Sequence, residues 1–107
     1  MQEIDVTSVN TWLNENKNFI LIDVREDSEW QQGHLPKALH ISKGILERDI
    51  EKHVDNRDTH IVLYCGGGYR SALAADSLQN MGYQNVLSMA GGVRTWHEQG
   101  LALNLPK

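Results

Sequence analysis

Two short apolar segments have the pattern expected of strands covered on both faces. Residues 19–24 and 60–64 are almost continuously apolar, as strands of a parallel sheet are when helices pack on both sides of it. Residues 85–89 predict a third strand, and residues 38–41 and 3–5 predict two short ones. The chain therefore predicts five strands.

Between these segments, apolar residues recur at the three- and four-residue spacing of amphipathic helices. Thr7 is predicted to cap the first helix, which carries Val9, Trp12 and Leu13 on one face. Further helices are predicted for residues 26–32, 44–53, 71–81 and 93–99. The helix over residues 71–81 is predicted to direct four residues inward: Leu73, Ala74, Leu78 and Met81. Strands that alternate with helices predict an α/β domain with a mainly parallel sheet.

Composition narrows the class of protein. The 107 residues predict one domain, over 1–107, and the hydrophobic share of 40% is ordinary for a folded protein. A formal net charge of -4 argues against a nucleic-acid partner. The N-terminus does not resemble a signal peptide, and no apolar run is long enough to span a membrane. The single cysteine suits a reducing compartment, so we expect a cytoplasmic protein without a membrane partner.

The residues with the clearest chemistry follow the predicted strand 60–64. Ligands of open α/β sheets bind beyond the carboxyl ends of the strands, and here Cys65 is followed by three glycines, Tyr69 and Arg70. Glycines let successive N–H groups turn inward and form an anion-binding nest, to which the next helix adds its dipole. Arg70 adds a permanent charge. These groups favour the thiolate, so the pKa of Cys65 should lie below the free-thiol value of about 8.5.

Other readings of this loop fit less well. A structural core cysteine has no need of three glycines and an arginine beside it. A phosphate-binding loop would carry Gly-Lys-Ser/Thr or G-x-G-x-x-G, and neither is present. His60 begins the strand that precedes Cys65 and lies too far away for a Cys–His pair. The histidines do not fall at a metal-ligand spacing, so we expect no metal ion and no cofactor.

The loop Cys65-Gly66-Gly67-Gly68-Tyr69-Arg70 resembles the active-site loop of the rhodanese family, Cys-x-x-Gly-x-Arg, and Ser71 follows it. Residues 21–26, residues 29–30 with 33–38, and residues 89–93 with Trp96 resemble further segments of that family, in the same order, so the resemblance covers most of the chain, from about Val6 to Leu101. It implies a three-layer rhodanese-like domain with a central, mainly parallel five-stranded sheet flanked by helices.

The resemblance also implies a thiosulfate sulfurtransferase reaction. The Cys65 thiolate would take sulfane sulfur from a small anionic donor such as thiosulfate, form a persulfide, and pass the sulfur to cyanide or a thiol. The substrate-binding residues implied are Gly66, Gly67, Gly68, Tyr69, Arg70 and Ser71. Family members that favour thiosulfate often carry a basic residue just after the cysteine. Because Gly66 and Gly67 stand there, a less positive loop is expected, and Tyr69 is expected to narrow the pocket or offer its hydroxyl.

Two alternatives use the same residues. A cysteine-dependent phosphatase or arsenate reductase has a loop resembling Cys-x5-Arg, whereas Cys65 and Arg70 are separated by four residues, which favours a sulfur-sized site. A persulfide-delivery module that hands sulfur to a protein acceptor stays open.

Five other polar or turn residues are expected to be structural. Asp23 and Arg25 at a strand end should form an ion pair that braces the loops. His34 should make a turn-stabilising hydrogen bond. Gly91 and Gly92 predict a tight strand-to-helix turn or a second nest.

Overall fold

The computed structural model describes residues 2–105, so the ends of the predicted domain, Met1, Pro106 and Lys107, lie outside the described residues. The strands within this range are β1 (Glu3–Ile4), β2 (Ile20–Asp23), β3 (Leu39–His40), β4 (His60–Tyr64) and β5 (Asn85–Met89). They form one sheet in the order β1-β5-β4-β2-β3, and its ladders are all parallel. The predicted α/β fold with a parallel sheet is confirmed.

The helices in the same range alternate with the strands. They are α1 (Val6–Asn14), α2 (Asp27–Gln31), α3 (Leu46–His53), α4 (Tyr69–Asn80) and α5 (Gly92–Glu98), with a 3₁₀ turn at Lys43–Ile45 before α3. None of the helices in residues 2–105 has both the length and the hydropathy needed to cross a membrane.

The predicted starts of two helices are wrong. Asp5, and not Thr7, caps α1, because its carboxylate accepts the Ser8 N–H at 2.7 Å. Helix α4 begins two residues earlier than predicted, at Tyr69, because Gly68 takes a left-handed conformation (φ 104°) that turns the loop directly into the helix.

The inward face of α4 was also predicted incorrectly at one position. Leu73 is 44% exposed, whereas Ala74, Ala75 and Leu78 are buried. Small side chains at Ala74 and Ala75 let this helix pack closely on the sheet, and Leu73 lies outside the contact.

Two buried clusters, one on each side of the sheet, make up the core. Alternate strand residues point to opposite faces, so Ile61 and Leu63 meet residues of α3 and α4, whereas Val62 and Tyr64 meet residues of α1 and α5. The three-layer arrangement is therefore confirmed. Because the ladders are parallel, the carboxyl ends of β2, β4 and β5 lie together at one edge, where Asp23 is in register with Tyr64.

Candidate active site

Cys65 follows β4 directly and is held beneath the loop that leads into α4. It is 1% exposed. Its Sγ accepts the N–H of Gly68 at 3.1 Å and the N–H of Ser71 at 3.4 Å. A Cβ at Gly68 would lie 3.3 Å from the N atom of Gly91, so this position needs glycine for space as well as for its positive φ. The structure thus brings the predicted loop donors around the predicted sulfur.

The surroundings of Cys65 favour its thiolate. Burial by itself raises the pKa of the thiol. The N–H and hydroxyl of Ser71 and the N–H groups of Gly68 and Gly67 outweigh burial, so the pKa of Cys65 lies below its ordinary value. A larger fraction of the sulfur is therefore ionised at neutral pH than in an unfolded chain.

The first residues of α5 also contact the loop. The N–H of Val93 donates to the Cys65 carbonyl at 2.9 Å, and the N–H of Arg94 donates to the Gly66 carbonyl at 3.0 Å. Gly92, at φ 58°, makes this approach possible, because a Cβ there would lie 2.7 Å from the carbonyl carbon and oxygen of Gly66. Gly91 and Gly92 form the predicted tight strand-to-helix turn.

Arg70 lies beside the loop but is already paired. Its guanidinium donates to both carboxylate oxygens of Glu29 on α2, at 2.6 and 2.9 Å, the two-pronged geometry of a strong ion pair. The hydrogen bond from Arg70 lowers the pKa of Glu29 to about 2. The hydrogen bonds to Glu29, and to a lesser extent the nearby Cys65 sulfur, raise the pKa of Arg70. The predicted role of Arg70 in binding the donor stays a prediction.

Ser71 connects the sulfur to a buried serine on β5. Its Oγ lies 3.6 Å from the Cys65 Sγ, 3.2 Å from the Gly68 carbonyl oxygen and 2.7 Å from the Oγ of Ser88. Ser88 is 0% exposed. Ser71 has one hydroxyl hydrogen. That hydrogen can be directed at the sulfur only when Ser88 is the donor of the hydrogen bond between the two serines.

Comparison with known proteins places this arrangement in a family. The sequence model of the rhodanese-like domain matches residues 5–99. The chain belongs to the rhodanese-like domain family. A sulfurtransferase of Allochromatium vinosum is 32% identical over 107 residues, which are 100% of this chain and 98% of the relative. The thiosulfate sulfurtransferase GlpE of Coxiella burnetii is 28% identical over 92 residues, 85% of this chain and 84% of that protein.

A solved structure supports the same family at the level of the fold. The crystal structure of a rhodanese-related protein from Thermoplasma volcanium superposes with a TM-score of 0.86 at 25% identity, over 99% of this chain and 100% of that one. The resemblance read from the sequence is confirmed.

The remaining polar residues of this rhodanese-like domain brace the site. Asp23 and Arg25 form the predicted buried ion pair, at 2.7 Å between Nη2 and Oδ2, and the same nitrogen donates to the Gly33 carbonyl at 2.6 Å. The hydroxyl of Tyr64 accepts the Leu35 N–H at 3.1 Å. These bonds tie the segment after α2 to the ends of β2 and β4.

His34 differs from its predicted role. It pairs with Asn104 through its backbone, and its ring stacks on Trp30 with 3.6 Å between centroids, so the side chain contributes stacking to the turn. Tyr69 is the first residue of α4 and is 77% exposed, and its predicted role at the pocket stays a prediction.

Three residues around the site were missed by sequence reasoning: Glu29, Ser88 and Arg94. Ser88 had a detectable signal, since it is a polar residue at an inward position of an otherwise apolar strand. Arg94 lies two residues after the paired glycines, and its place over the loop depends on how α5 docks.

Replacing Ser88 with alanine tests the link between the serines and the sulfur. We expect the pH midpoint of Cys65 alkylation by iodoacetamide to lie below about 8.5 in the wild type and to rise in Ser88→Ala. The reason is that a hydrogen bond donated by Ser88 would polarise the Ser71 hydroxyl and strengthen its bond to the thiolate. Ser77→Ala is the matched control, because Ser77 lies on the same helix as Ser71 but further from the sulfur. An unchanged midpoint in Ser88→Ala, with a raised midpoint in Ser71→Ala, would show that Ser71 acts alone.

Proposed function

We propose that this rhodanese-like domain, as a single domain over residues 1–107, carries sulfane sulfur on Cys65 and transfers it from an anionic donor such as thiosulfate to cyanide or a thiol. The observation that carries the proposal is the convergence of the Gly68 and Ser71 N–H groups on Sγ at 3.1 and 3.4 Å. Donors at these distances stabilise a sulfur anion before any substrate arrives, which is what a sulfur nucleophile requires.

The reaction proceeds as two displacements. The Cys65 thiolate attacks the outer sulfur of thiosulfate, a new S–S bond forms, and sulfite leaves with the electron pair of the broken S–S bond. The enzyme then holds a persulfide anion. Cyanide attacks the terminal sulfur, thiocyanate leaves, and the Cys65 thiolate is regenerated. Because no step requires a proton transfer, no general base is needed.

The loop geometry argues against the phosphatase alternative. In this chain the N–H groups of Gly68 and Ser71 are directed at the sulfur itself, whereas a phosphatase loop must hold the equatorial oxygens of the phosphoryl group that is transferred to the cysteine. Arg70 contacts the carboxylate of Glu29 instead of facing such oxygens. Both observations favour a site that holds one sulfur atom.

A protein acceptor is the second candidate for the discharge step. Tyr69 and Leu73 are four residues apart on α4 and lie on one side of that helix, and both are exposed. This apolar surface begins at the end of the sulfur loop and could contact an acceptor protein. The cytoplasmic location and the absence of a nucleic-acid partner stay predictions.

The reaction class can be tested with the purified protein. We expect thiocyanate to form from thiosulfate and cyanide, with negligible phosphate release from an aryl phosphate, because the loop stabilises a sulfur anion and its arginine is paired. Thiocyanate is measured as its iron complex and phosphate by a colorimetric assay in parallel. Sustained phosphate release without thiocyanate would overturn the proposal. Persulfide formation on Cys65, followed by loss of the sulfur only to a protein acceptor, would favour the delivery role.

A further inference from the structure

The guanidinium of Arg94 occupies the place that a side chain at residue 67 of the loop would have. A Cβ built on Gly67 would lie 3.3 Å from Nη2, 3.6 Å from Cζ and 3.9 Å from Nη1 of Arg94. The side chain therefore lies over the second residue after Cys65. Its backbone is fixed there as well, since the Arg94 N–H donates to the Gly66 carbonyl at 3.0 Å.

No carboxylate within residues 2–105 pairs with Arg94. In contrast, Glu29 engages Arg70 with both oxygens. It is exposed to solvent, so its planar set of donors is available to a small anion. Of the two arginines at the loop, Arg94 is the one whose charge is uncompensated.

We propose that Arg94 recognises the charged end of the sulfur donor and selects donors whose leaving group is an oxyanion, such as sulfite or a sulfinate. This proposal rests on the proposed sulfurtransferase function. When the thiolate attacks the outer sulfur, the leaving group takes the electron pair of the broken S–S bond and gains negative charge. A guanidinium next to the loop stabilises that charge as it develops. Gly66 and Gly67 contribute no charge to the loop. Arg94 on α5 provides a positive charge there instead.

Gly67 and Arg94 depend on each other sterically. Gly67 does not have a positive φ, so its backbone accepts other residues, and the three atoms nearest to an added Cβ all belong to Arg94. A basic side chain at residue 67 would compete with Arg94 for one place. When Arg94 is replaced by a shorter residue, the same space is open to the side chain of a lysine at residue 67.

The test measures persulfide loading and discharge separately by stopped flow. Arg94→Gln should load from thiosulfate about tenfold more slowly than the wild type, the lower end of the effect of losing one charge-assisted contact. The loss should be smaller with benzenethiosulfonate, a donor with one negative charge fewer. Discharge of the loaded persulfide to dithiothreitol should be unchanged.

Two further variants separate local charge from other effects. Lys52→Gln, at the far end of α3, removes one exposed charge and should load at the wild-type rate. Gly67→Lys combined with Arg94→Gln should recover most of the thiosulfate rate. Wild-type loading by Arg94→Gln, an equal loss in Lys52→Gln, or a double variant no faster than Arg94→Gln alone would each overturn the role of Arg94. A wild-type protein that takes sulfur from neither donor would instead contradict the proposed function.

Discussion

Cys65→Ser is expected to abolish thiocyanate formation and the mass gain of one sulfur atom that we expect of the wild type after incubation with thiosulfate. A serine hydroxyl stays protonated at neutral pH, and the groups that favour the thiolate, the N–H groups of Gly68 and Ser71, would then face a weak nucleophile. In the proposed reaction the sulfur is carried as a covalent persulfide on Cys65, so we expect no part of it to proceed on the variant. Intact-protein mass spectrometry and the thiocyanate assay report the two losses.

The sequence makes this experiment decisive, since Cys65 is the one cysteine of the 107 residues. No other thiol can carry the sulfur in the variant. Near-ultraviolet circular dichroism checks that Cys65→Ser keeps the native packing, and Cys65→Ala repeats the test without a hydroxyl. Thiocyanate formation at the wild-type rate in either folded variant would remove Cys65 from the reaction.

Gly92→Ala is expected to cause the largest loss of stability, with loss of activity alongside it. An added Cβ would lie 2.7 Å from backbone atoms of Gly66, at a residue with φ 58°. Backbone cannot rotate away as a flexible side chain can, so α5 must shift off the sulfur loop. The left-handed conformation and the overpacking together cost about 2–5 kcal/mol in the free energy of unfolding. Urea unfolding, followed by tryptophan fluorescence, measures this cost.

Gly100→Ala is the matched control for that measurement. Gly100 also has a positive φ, 75°, but a Cβ there would have no atom within 4 Å. The control therefore carries only the conformational cost of about 1 kcal/mol. If Gly92→Ala and Gly100→Ala lose equal stability, the close approach of α5 to the loop does not contribute.

The sequence predicts the sheet well because the evidence for it is local. The apolar runs 19–24 and 60–64 are dense enough to identify buried strands without knowledge of their neighbours, and the parallel arrangement follows from the helices between them. Helix starts were harder to predict. Asp5 and Thr7 can both cap a helix, and the choice depends on which side chain reaches a free N–H. At Gly68 the cap is a backbone conformation without a side-chain signature.

For the candidate site, too, the residues that could be predicted are those with local evidence in the sequence. Residues 65–71 are contiguous, so their chemistry could be read from the order of residue types. Glu29, Ser88 and Arg94 come from α2, β5 and α5, and they meet at the loop through the topology of the sheet. The ion pair of Arg70 was not predicted for this reason, since it joins Arg70 to Glu29, 41 positions away. No pattern within the loop could show that its arginine is neutralised while the arginine of another helix is not.

The position of β1 beside β5 sets the order of events when this protein is synthesised. Glu3 pairs with Ser88 and Ile4 with Met89, so the first strand finds its partner only after most of the chain has been made, and such long-range pairing forms late. A nascent chain that ends before residue 90 already contains Cys65 and its glycines. It lacks the N–H groups of Val93 and Arg94 that hold the loop carbonyls. We expect its thiol to behave as an ordinary, weakly ionised cysteine, which would couple the onset of sulfur reactivity to completion of the fold.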